Sequence, residues 1–309
     1  FILFWVYHNF DFTKVGEVLL HGTNWWWMFF SLLFGVLAQV FRGWRWKQML
    51  EPLEAFPKRS DCVNAIFISY AASLIVPRVG EVSRCGVLAK YDNVSFAKSL
   101  GTVVTERLVD TLTILLITGV TVLLQLPIFV TFLQQTGTKI PSLLHLLTSV
   151  WFYIVLFCFI GVGMLLYYLR KTLFFYERVK GFVLNIWEGV MSLKGVRNIP
   201  LFSFYTLAIW GCYFFHFYFT FYCFAFTAHL SILAALVMFV GGTFAVIVPT
   251  PNGAGPWHFA VISMMMLYGV NETDAGIFAL IVHGIQTFLV VLLGVYGLAA
   301  LSLTNRQRK

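Results

Sequence analysis

The stretch Ile75-Val76-Pro77-Arg78-Val79-Gly80-Glu81-Val82-Ser83-Arg84 places a proline and three charged side chains directly after an apolar run. A second charged motif, Glu106-Arg107-Leu108-Val109-Asp110, lies inside the next apolar run. In a bilayer an unpaired charge at the centre of a helix costs about 2.5–3.5 kcal/mol. These side chains are therefore expected to neutralise one another, to face water or to contact an anionic headgroup. Two interpretations remain open: a polar substrate path, and a salt-bridge cluster that only anchors two helices.

The composition is that of a membrane protein with several spans. The 309-residue chain is 60% hydrophobic and only 11% charged, whereas a soluble domain carries about 25% charged residues. Several apolar runs approach the ~20 residues that cross a bilayer as a helix. We therefore predict an all-α, polytopic integral membrane helical bundle. The net charge of +8 is concentrated in loops between the apolar runs, which is typical of cytoplasmic segments and argues against a nucleic-acid partner.

No cofactor or metal site is expected from the sequence. The five cysteines are scattered and form no CxxC pair, which argues against a disulfide framework or a zinc site. They are expected to pack as small apolar side chains. His216 is expected to form a hydrogen bond between helices rather than to bind a metal. Direct use of ATP is not expected because the sequence contains no GxxxxGK[ST] loop.

Five apolar runs are predicted to cross the bilayer fully, and the basic residues at their ends indicate which end is cytoplasmic. The first run ends in an aromatic and basic segment, 42–47, which is expected at the cytoplasmic interface. The amphipathic segment 174–197 is predicted to lie on the cytoplasmic surface, and the carboxyl terminus to be cytoplasmic in the cell (inner) membrane. Residues 1–7 are expected to be the tail of a transmembrane helix whose beginning the chain lacks. The predicted spans are 25–41, 100–125, 147–169, 200–226 and 275–303.

Two further apolar segments, 61–98 and 231–268, are interrupted and are predicted to be re-entrant hairpins. They break at the same tripeptide, Ile75-Val76-Pro77 in the first and Ile247-Val248-Pro249 in the second. The first is predicted to enter from the cytoplasm, with a kinked full crossing as the alternative, and the second from outside. Paired broken helices from opposite faces are typical of inverted-repeat transporters, whose site lies near the bilayer midplane.

Three motifs together resemble the lysylphosphatidylglycerol synthase transmembrane-region family, which is also called the flippase-like domain family. They are P-R-x-G-E-x-x-R at 77–84, E-R-x-x-D at 106–110 and P-T-P-N-G-A-G at 249–255. The likeness covers nearly the whole chain, so we predict a single domain over 1–309. It implies movement of membrane lipids or lipid-linked groups between leaflets. In multi-domain members this region accompanies an enzyme that attaches an amino acid to phosphatidylglycerol; no such sequence follows residue 303, so lipid lysylation is not expected.

His258 stands where the family often has a glutamate shortly after the glycine-rich turn. An imidazole there is suited to donate to a phosphate or to titrate near neutral pH. A histidine that caps the returning half-helix is the alternative interpretation, and the sequence leaves both open.

The leading functional hypothesis is a lipid transporter in which arginines offer forked donors to a phosphate or another anionic headgroup. The carboxylates hold these arginines in place, or engage an amine on a zwitterionic lipid, and the glycine turn offers backbone N–H groups to an anion. The alternatives are a membrane-embedded transferase acting on a lipid or polyprenyl-phosphate carrier, and a non-catalytic partner of a lipid-modifying enzyme. Homo-oligomerisation is a further possibility. The predicted headgroup-binding residues are Arg78, Glu81, Arg84, Glu106, Arg107, Asp110, Asn252, Gly253, Gly255 and His258.

Overall fold

The computed structural model describes residues 2–8, 10, 12–128, 130, 153, 157 and 176–306. All regular secondary structure in these residues is helical. The α-helices in chain order are α1 Ile2–Tyr7, α2 Thr13–Glu17, α3 Trp25–Leu50, α4 Arg59–Ile75, α5 Val79–Asp92, α6 Phe96–Leu124, α7 Tyr176–Met191, α8 Ile199–Tyr218, α9 Ile232–Ala245, α10 Pro256–Leu267 and α11 Glu272–Arg306.

Four helical stretches in the described residues are long and apolar enough to cross a membrane, which confirms the predicted class of helical membrane protein. They coincide with four of the predicted spans, whereas the span predicted at 147–169 lies outside the described residues. On α6 the exposed side chains of Leu112, Leu116 and Leu123 are of the kind that face lipid. The four stretches are Trp25–Leu53, Phe96–Leu124, Ile199–Cys223 and Glu272–Thr304.

The aromatic and basic segment 42–47, predicted at the cytoplasmic interface, lies within helix α3. Helix α3 continues to Leu50, and Arg42 and Arg45 are buried inside the protein; their position relative to the membrane surface stays a prediction. The physical reason is that the carboxylates on α6 supply partners for both guanidinium groups. Lys47 keeps the expected surface character and pairs with Glu51 at 3.0 Å.

Helices α4 and α5 fold back against each other around the first Ile-Val-Pro break. Val76 is extended, because a residue before proline avoids the helical region, and Arg78, after the proline, adopts a left-handed conformation with φ 65°. Close packing beyond the break depends on Gly80, where an added Cβ would overlap the carbonyl oxygen of Ser69. The pair forms a helical hairpin within the predicted segment 61–98; its re-entrant entry into the bilayer stays a prediction.

Helices α9 and α10 form a second hairpin within the predicted segment 231–268. Pro256 occupies the first turn of α10, where its missing N–H costs no helical hydrogen bond. Between the helices, Asn252, Gly253 and Gly255 have positive φ angles of 51°, 74° and 97°, which glycine adopts without strain. The inverted-repeat relation between the two hairpins stays a prediction.

Helix α7 packs along α6 and corresponds to the predicted amphipathic segment 174–197. The two helices cross so closely that a Cβ on Gly189 would lie 2.6 Å from the Cα of Gly101. Thr105 Oγ1 donates to the carbonyl of Val190 at 3.0 Å. This side of α7 is therefore fixed by α6, while its predicted position on the membrane surface is not tested.

Gly80→Ala is expected to destabilise the α4–α5 hairpin by about 1–3 kcal/mol, because overpacking forces backbone to move. Gly86→Ala on the same helix is the matched control, since nothing lies within 4 Å of a Cβ at that position. The control should be neutral or stabilising by up to about 1 kcal/mol. Thermal unfolding of the two purified variants would check this, and equal melting temperatures would contradict the close approach.

Candidate functional site

Glu106 and Asp110 lie on one face of α6, as their four-residue spacing predicts. Both are buried and point toward α3. Arg42 Nη1 donates to Glu106 Oε1 and, at 2.7 Å, to Asp110 Oδ2. Arg45 Nη2 donates to Asp110 Oδ1 at 2.7 Å and to Glu106 Oε1 at 3.3 Å. Each guanidinium of α3 thus bridges both carboxylates of α6.

Helix α5 adds a third arginine to the same carboxylates. Arg84 Nη1 lies 2.8 Å from Glu106 Oε2, and its side chain is 1% exposed. Its guanidinium stacks over the ring of Trp46 at 4.7 Å, and the Trp46 indole N–H donates to Thr102 Oγ1 at 2.9 Å. We call the five residues Arg42, Arg45, Arg84, Glu106 and Asp110 the buried charge cluster.

The buried charge cluster has more positive than negative charge. Its three guanidinium groups face two carboxylates, which leaves one positive charge without a counter-charge inside the cluster. The Nε and Nη2 atoms of Arg84 are also buried and donate to no acceptor among the described residues. A buried charge is costly unless it is paired, so an anionic group would be stabilised beside Arg84.

A second, half-exposed ion pair lies at the edge of this cluster. Arg107 Nε is 3.4 Å from Glu81 Oε1, with side chains 43% and 35% exposed. Arg107 Nη2 also approaches Glu106 Oε1 at 3.8 Å. The pair therefore links the buried carboxylate to a surface that an outside group can reach.

Arg78 makes a different contact from the other predicted arginines. It is exposed, and its Nη2 donates to the backbone carbonyl of Ile247 at 3.1 Å. None of the described ion pairs joins it to Glu106 or Asp110. This hydrogen bond connects the two Ile-Val-Pro breaks directly, so Arg78 belongs to the contact between the hairpins.

Three charged residues follow one another along the start of α5. Arg78 directly precedes α5, Glu81 and Arg84 follow at intervals of three residues, and the step from Glu81 to Arg84 rises ~4.5 Å along the helix. Exposure falls along this series, from exposed Arg78 through half-exposed Glu81 to buried Arg84. We call these three residues the α5 row; it runs from the contact between the hairpins to the buried charge cluster.

The predicted residues of the glycine turn are held by partners of their own. The Gly255 N–H donates to His258 Nδ1 at 3.2 Å, so His258 caps the start of α10, which was one of the two interpretations of this histidine. Asn252 Nδ2 donates to Thr287 Oγ1 at 2.8 Å, and a Cβ on Gly255 would come within 3.0 Å of α1. No described hydrogen bond or ion pair joins residues 252–258 to the buried charge cluster.

The hydrogen bond between helices that was predicted for His216 is confirmed, because its Nδ1 lies 2.8 Å from the carbonyl oxygen of Ser31 on a neighbouring helix. Cys62, Cys85 and Cys223 are free and buried. Within the described residues no group of three or more His, Cys, Asp or Glu side chains is arranged to hold a metal ion.

Sequence reasoning missed Arg42 and Arg45, which make most of the contacts to the two carboxylates. Local pattern did not identify them, because arginines among tryptophans at the end of an apolar run are typical of a membrane interface. The balance of charges was the signal in the sequence that could have identified these two arginines. Two carboxylates four residues apart within a span need buried cations, and α3 carries arginines three residues apart, on one helical face.

Comparison with known proteins decides the family. Residues 1–294 match the Lysylphosphatidylglycerol synthase TM region. The chain belongs to this family. No curated protein and no solved structure matches it. Membership associates the protein with membrane lipids, as their transporter or as part of a lipid-modifying system.

Glu106→Gln is expected to destabilise the protein by about 3–5 kcal/mol, because it leaves buried guanidinium groups without their shared counter-charge. Glu51→Gln is the matched control, since Glu51 forms a partly exposed four-residue-spaced pair with Lys47, and such helical pairs contribute only about 0.3–0.5 kcal/mol. Thermal unfolding in one detergent would measure both changes. Similar small shifts for the two variants would show that the cluster is not a structural requirement.

Proposed function

We propose that this protein moves a lipid with a phosphate-containing headgroup between the two leaflets, and that the headgroup crosses along the α5 row. The observation that carries the proposal is the graded exposure of this row, from Arg78 to the buried, positively charged cluster at Arg84. Ionisable residues within a membrane bundle are expensive and usually line substrate or ion pathways. Family membership supports lipids as the substrates.

The arginines of the row are suited to bind a phosphate. Guanidinium groups present a planar fork of donors that matches phosphate oxygens, and such charge-assisted hydrogen bonds are stronger than neutral ones. In the structure Arg107 lies against Glu81, and Arg78 donates to the Ile247 carbonyl. These contacts satisfy the arginines without a ligand, and a phosphate would displace them one at a time.

The buried charge cluster has a supporting role in this mechanism. Glu106 and Asp110 keep the α3 arginines neutralised, while the excess positive charge attracts an anion toward Arg84. The headgroup is transferred without any covalent bond being made or broken, so the protein acts as a transporter and not as an enzyme. The acyl chains stay in the bilayer, against the exposed apolar side chains of the helices.

The topology predicted from the sequence is part of this proposal. If the two hairpins enter from opposite sides, the contact of Arg78 with Ile247 lies near the middle of the membrane. The headgroup then has polar partners at the depth where the bilayer offers none. The basic carboxyl terminus is proposed to lie on the cytoplasmic side of the cell membrane.

Transport in reconstituted vesicles tests the proposal. The vesicles contain a phospholipid that carries a fluorophore on its acyl chain, and a reductant added outside quenches the fluorophores in the outer leaflet. The rate at which fluorophores from the inner leaflet become accessible to this reductant is measured. Arg78→Ala and Arg107→Ala should each slow this rate by about tenfold or more, since each loses a hydrogen bond to a charged group. The transport rate of Arg107→Lys should lie between those of wild type and Arg107→Ala, because lysine keeps the positive charge but lacks the planar fork of donors.

Lys90→Ala is the matched control, since Lys90 is an exposed basic residue at the other end of α5. It should keep the wild-type rate. Full transport by well-folded Arg78→Ala and Arg107→Ala proteins would contradict the proposed path. Mass spectrometry of the same vesicles would reveal a covalently changed lipid, which would instead support a membrane-embedded transferase.

A further inference from the structure

A small cavity lies where the end of α3 meets the starts of α4 and α8. Its volume is about 180 Å³. None of the residues that line it belongs to the buried charge cluster or to the α5 row, so it is separate from the path proposed above. The lining residues that determine its chemistry are Trp44, Lys47, Glu51, Arg59, Asn198 and Tyr205.

The charged groups of this cavity leave it with an excess of positive charge. Lys47 and Glu51 form an ion pair at 3.0 Å, so they neutralise each other. Arg59, the first residue of α4, joins none of the ion pairs between the described residues. Asn198 is the N-cap of α8, so the cavity also faces the positive end of that helix dipole. Both features favour an anion inside the cavity.

Aromatic rings line the side of the cavity that leads to the apolar surface. The ring centroids of Trp44 and Tyr205 are 5.9 Å apart, and that of Phe41 lies 6.0 Å from Tyr205 and 6.2 Å from Phe204. Tryptophan and tyrosine are enriched where the headgroups of a bilayer meet its apolar core. The rings therefore place the cavity at a border between polar and apolar surface.

An apolar strip continues from these rings along α8. Phe204, Leu207, Gly211 and Phe215 follow at intervals of three or four residues, so they share one face of the helix. The side chains of Phe204 and Leu207 are exposed. Nothing lies within 4 Å of a Cβ at Gly211, so the strip has a gap at that residue. The strip thus offers an acyl chain an open apolar surface next to the charged cavity.

We propose that the cavity and this strip together bind one anionic phospholipid, whose phosphate lies beside Arg59 and Lys47 and whose acyl chain lies along α8. The occupant needs both parts, because the positively charged cavity continues directly into exposed apolar surface. The segment 42–47 is predicted on the cytoplasmic side, where membranes carry anionic lipids. The site shares no residue with the proposed transport path and does not depend on it.

Photo-labelling with a defined lipid tests the site. Purified protein in detergent is titrated with phosphatidylglycerol that carries a photoreactive group in its acyl chain, and the label in the peptide that contains α8 is measured. Arg59→Ala should raise the half-saturating lipid concentration about fivefold, since it removes one cation beside the headgroup. Lys90→Ala is the matched control, because this exposed basic residue does not line the cavity, and it should label as wild type does.

Glu51→Gln should have the opposite effect and lower the half-saturating concentration about fivefold, because it removes the carboxylate that competes with the headgroup for Lys47. Glu54→Gln changes the net charge equally at an exposed position outside the cavity and should have no effect. Unlabelled phosphatidylglycerol should compete better than phosphatidylcholine, whose headgroup has no net charge. Inorganic phosphate should not compete, since it lacks the acyl chain.

The proposal is overturned if either Arg59→Ala or Glu51→Gln leaves the half-saturating concentration unchanged. It is also overturned if the α6 peptide is labelled with the same concentration dependence as the α8 peptide, or if inorganic phosphate competes as well as the lipid. Arg107→Ala, which should slow transport, should label as wild type does. The lipid site can therefore fail while the transport proposal stands, and the reverse.

Discussion

The shared carboxylate of Glu106 is the constraint on which the bundle depends. It is fully buried and contacts arginines from α3 and α5. Removing a charge from water costs several kcal/mol, and only well-placed opposite charges offset that cost. Helix α3 must therefore present Arg42 and Arg45 to α6, and α5 must lie where Arg84 reaches the same group. Packing of apolar side chains alone does not determine how each helix is rotated about its own axis, because lipid and protein interiors are similarly apolar.

The same requirement fixes the position of α5, along which we propose that the headgroup moves. Its middle is fixed by Arg84 in the buried charge cluster, while Arg78 at its start has a left-handed backbone and is exposed. One short helix thus joins a rigid electrostatic centre to the contact between the two hairpins. In the proposed mechanism the excess positive charge attracts an anion inward, while Glu81 neutralises Arg107 and the Ile247 carbonyl accepts a hydrogen bond from Arg78.

Much of this arrangement could be predicted from local sequence, and the remainder depends on contacts between distant residues. Composition gave the membrane class, Pro77 and Pro249 marked the breaks, and the spacing of Glu106 and Asp110 placed both on one face. Arg42 could not be placed, since its partner is 64 residues away and its neighbours are typical of an interface. Arg78 was grouped with the charged cluster, but the left-handed backbone at that residue accompanies a side-chain contact with the second hairpin instead. The capping role of His258 was one of two open alternatives, and geometry was needed to choose it.

A double-mutant cycle on Arg84 and Glu106 tests whether α5 and α6 are held together by this buried ion pair. The free energy of unfolding is measured for wild type, Arg84→Met, Glu106→Gln and the double variant. Because the two side chains touch in a buried site, the account predicts a coupling of at least about 1.5 kcal/mol, with the double variant less destabilised than the sum of the single ones. Additive effects within about 0.5 kcal/mol would show that the two charges do not depend on each other, and would contradict the account.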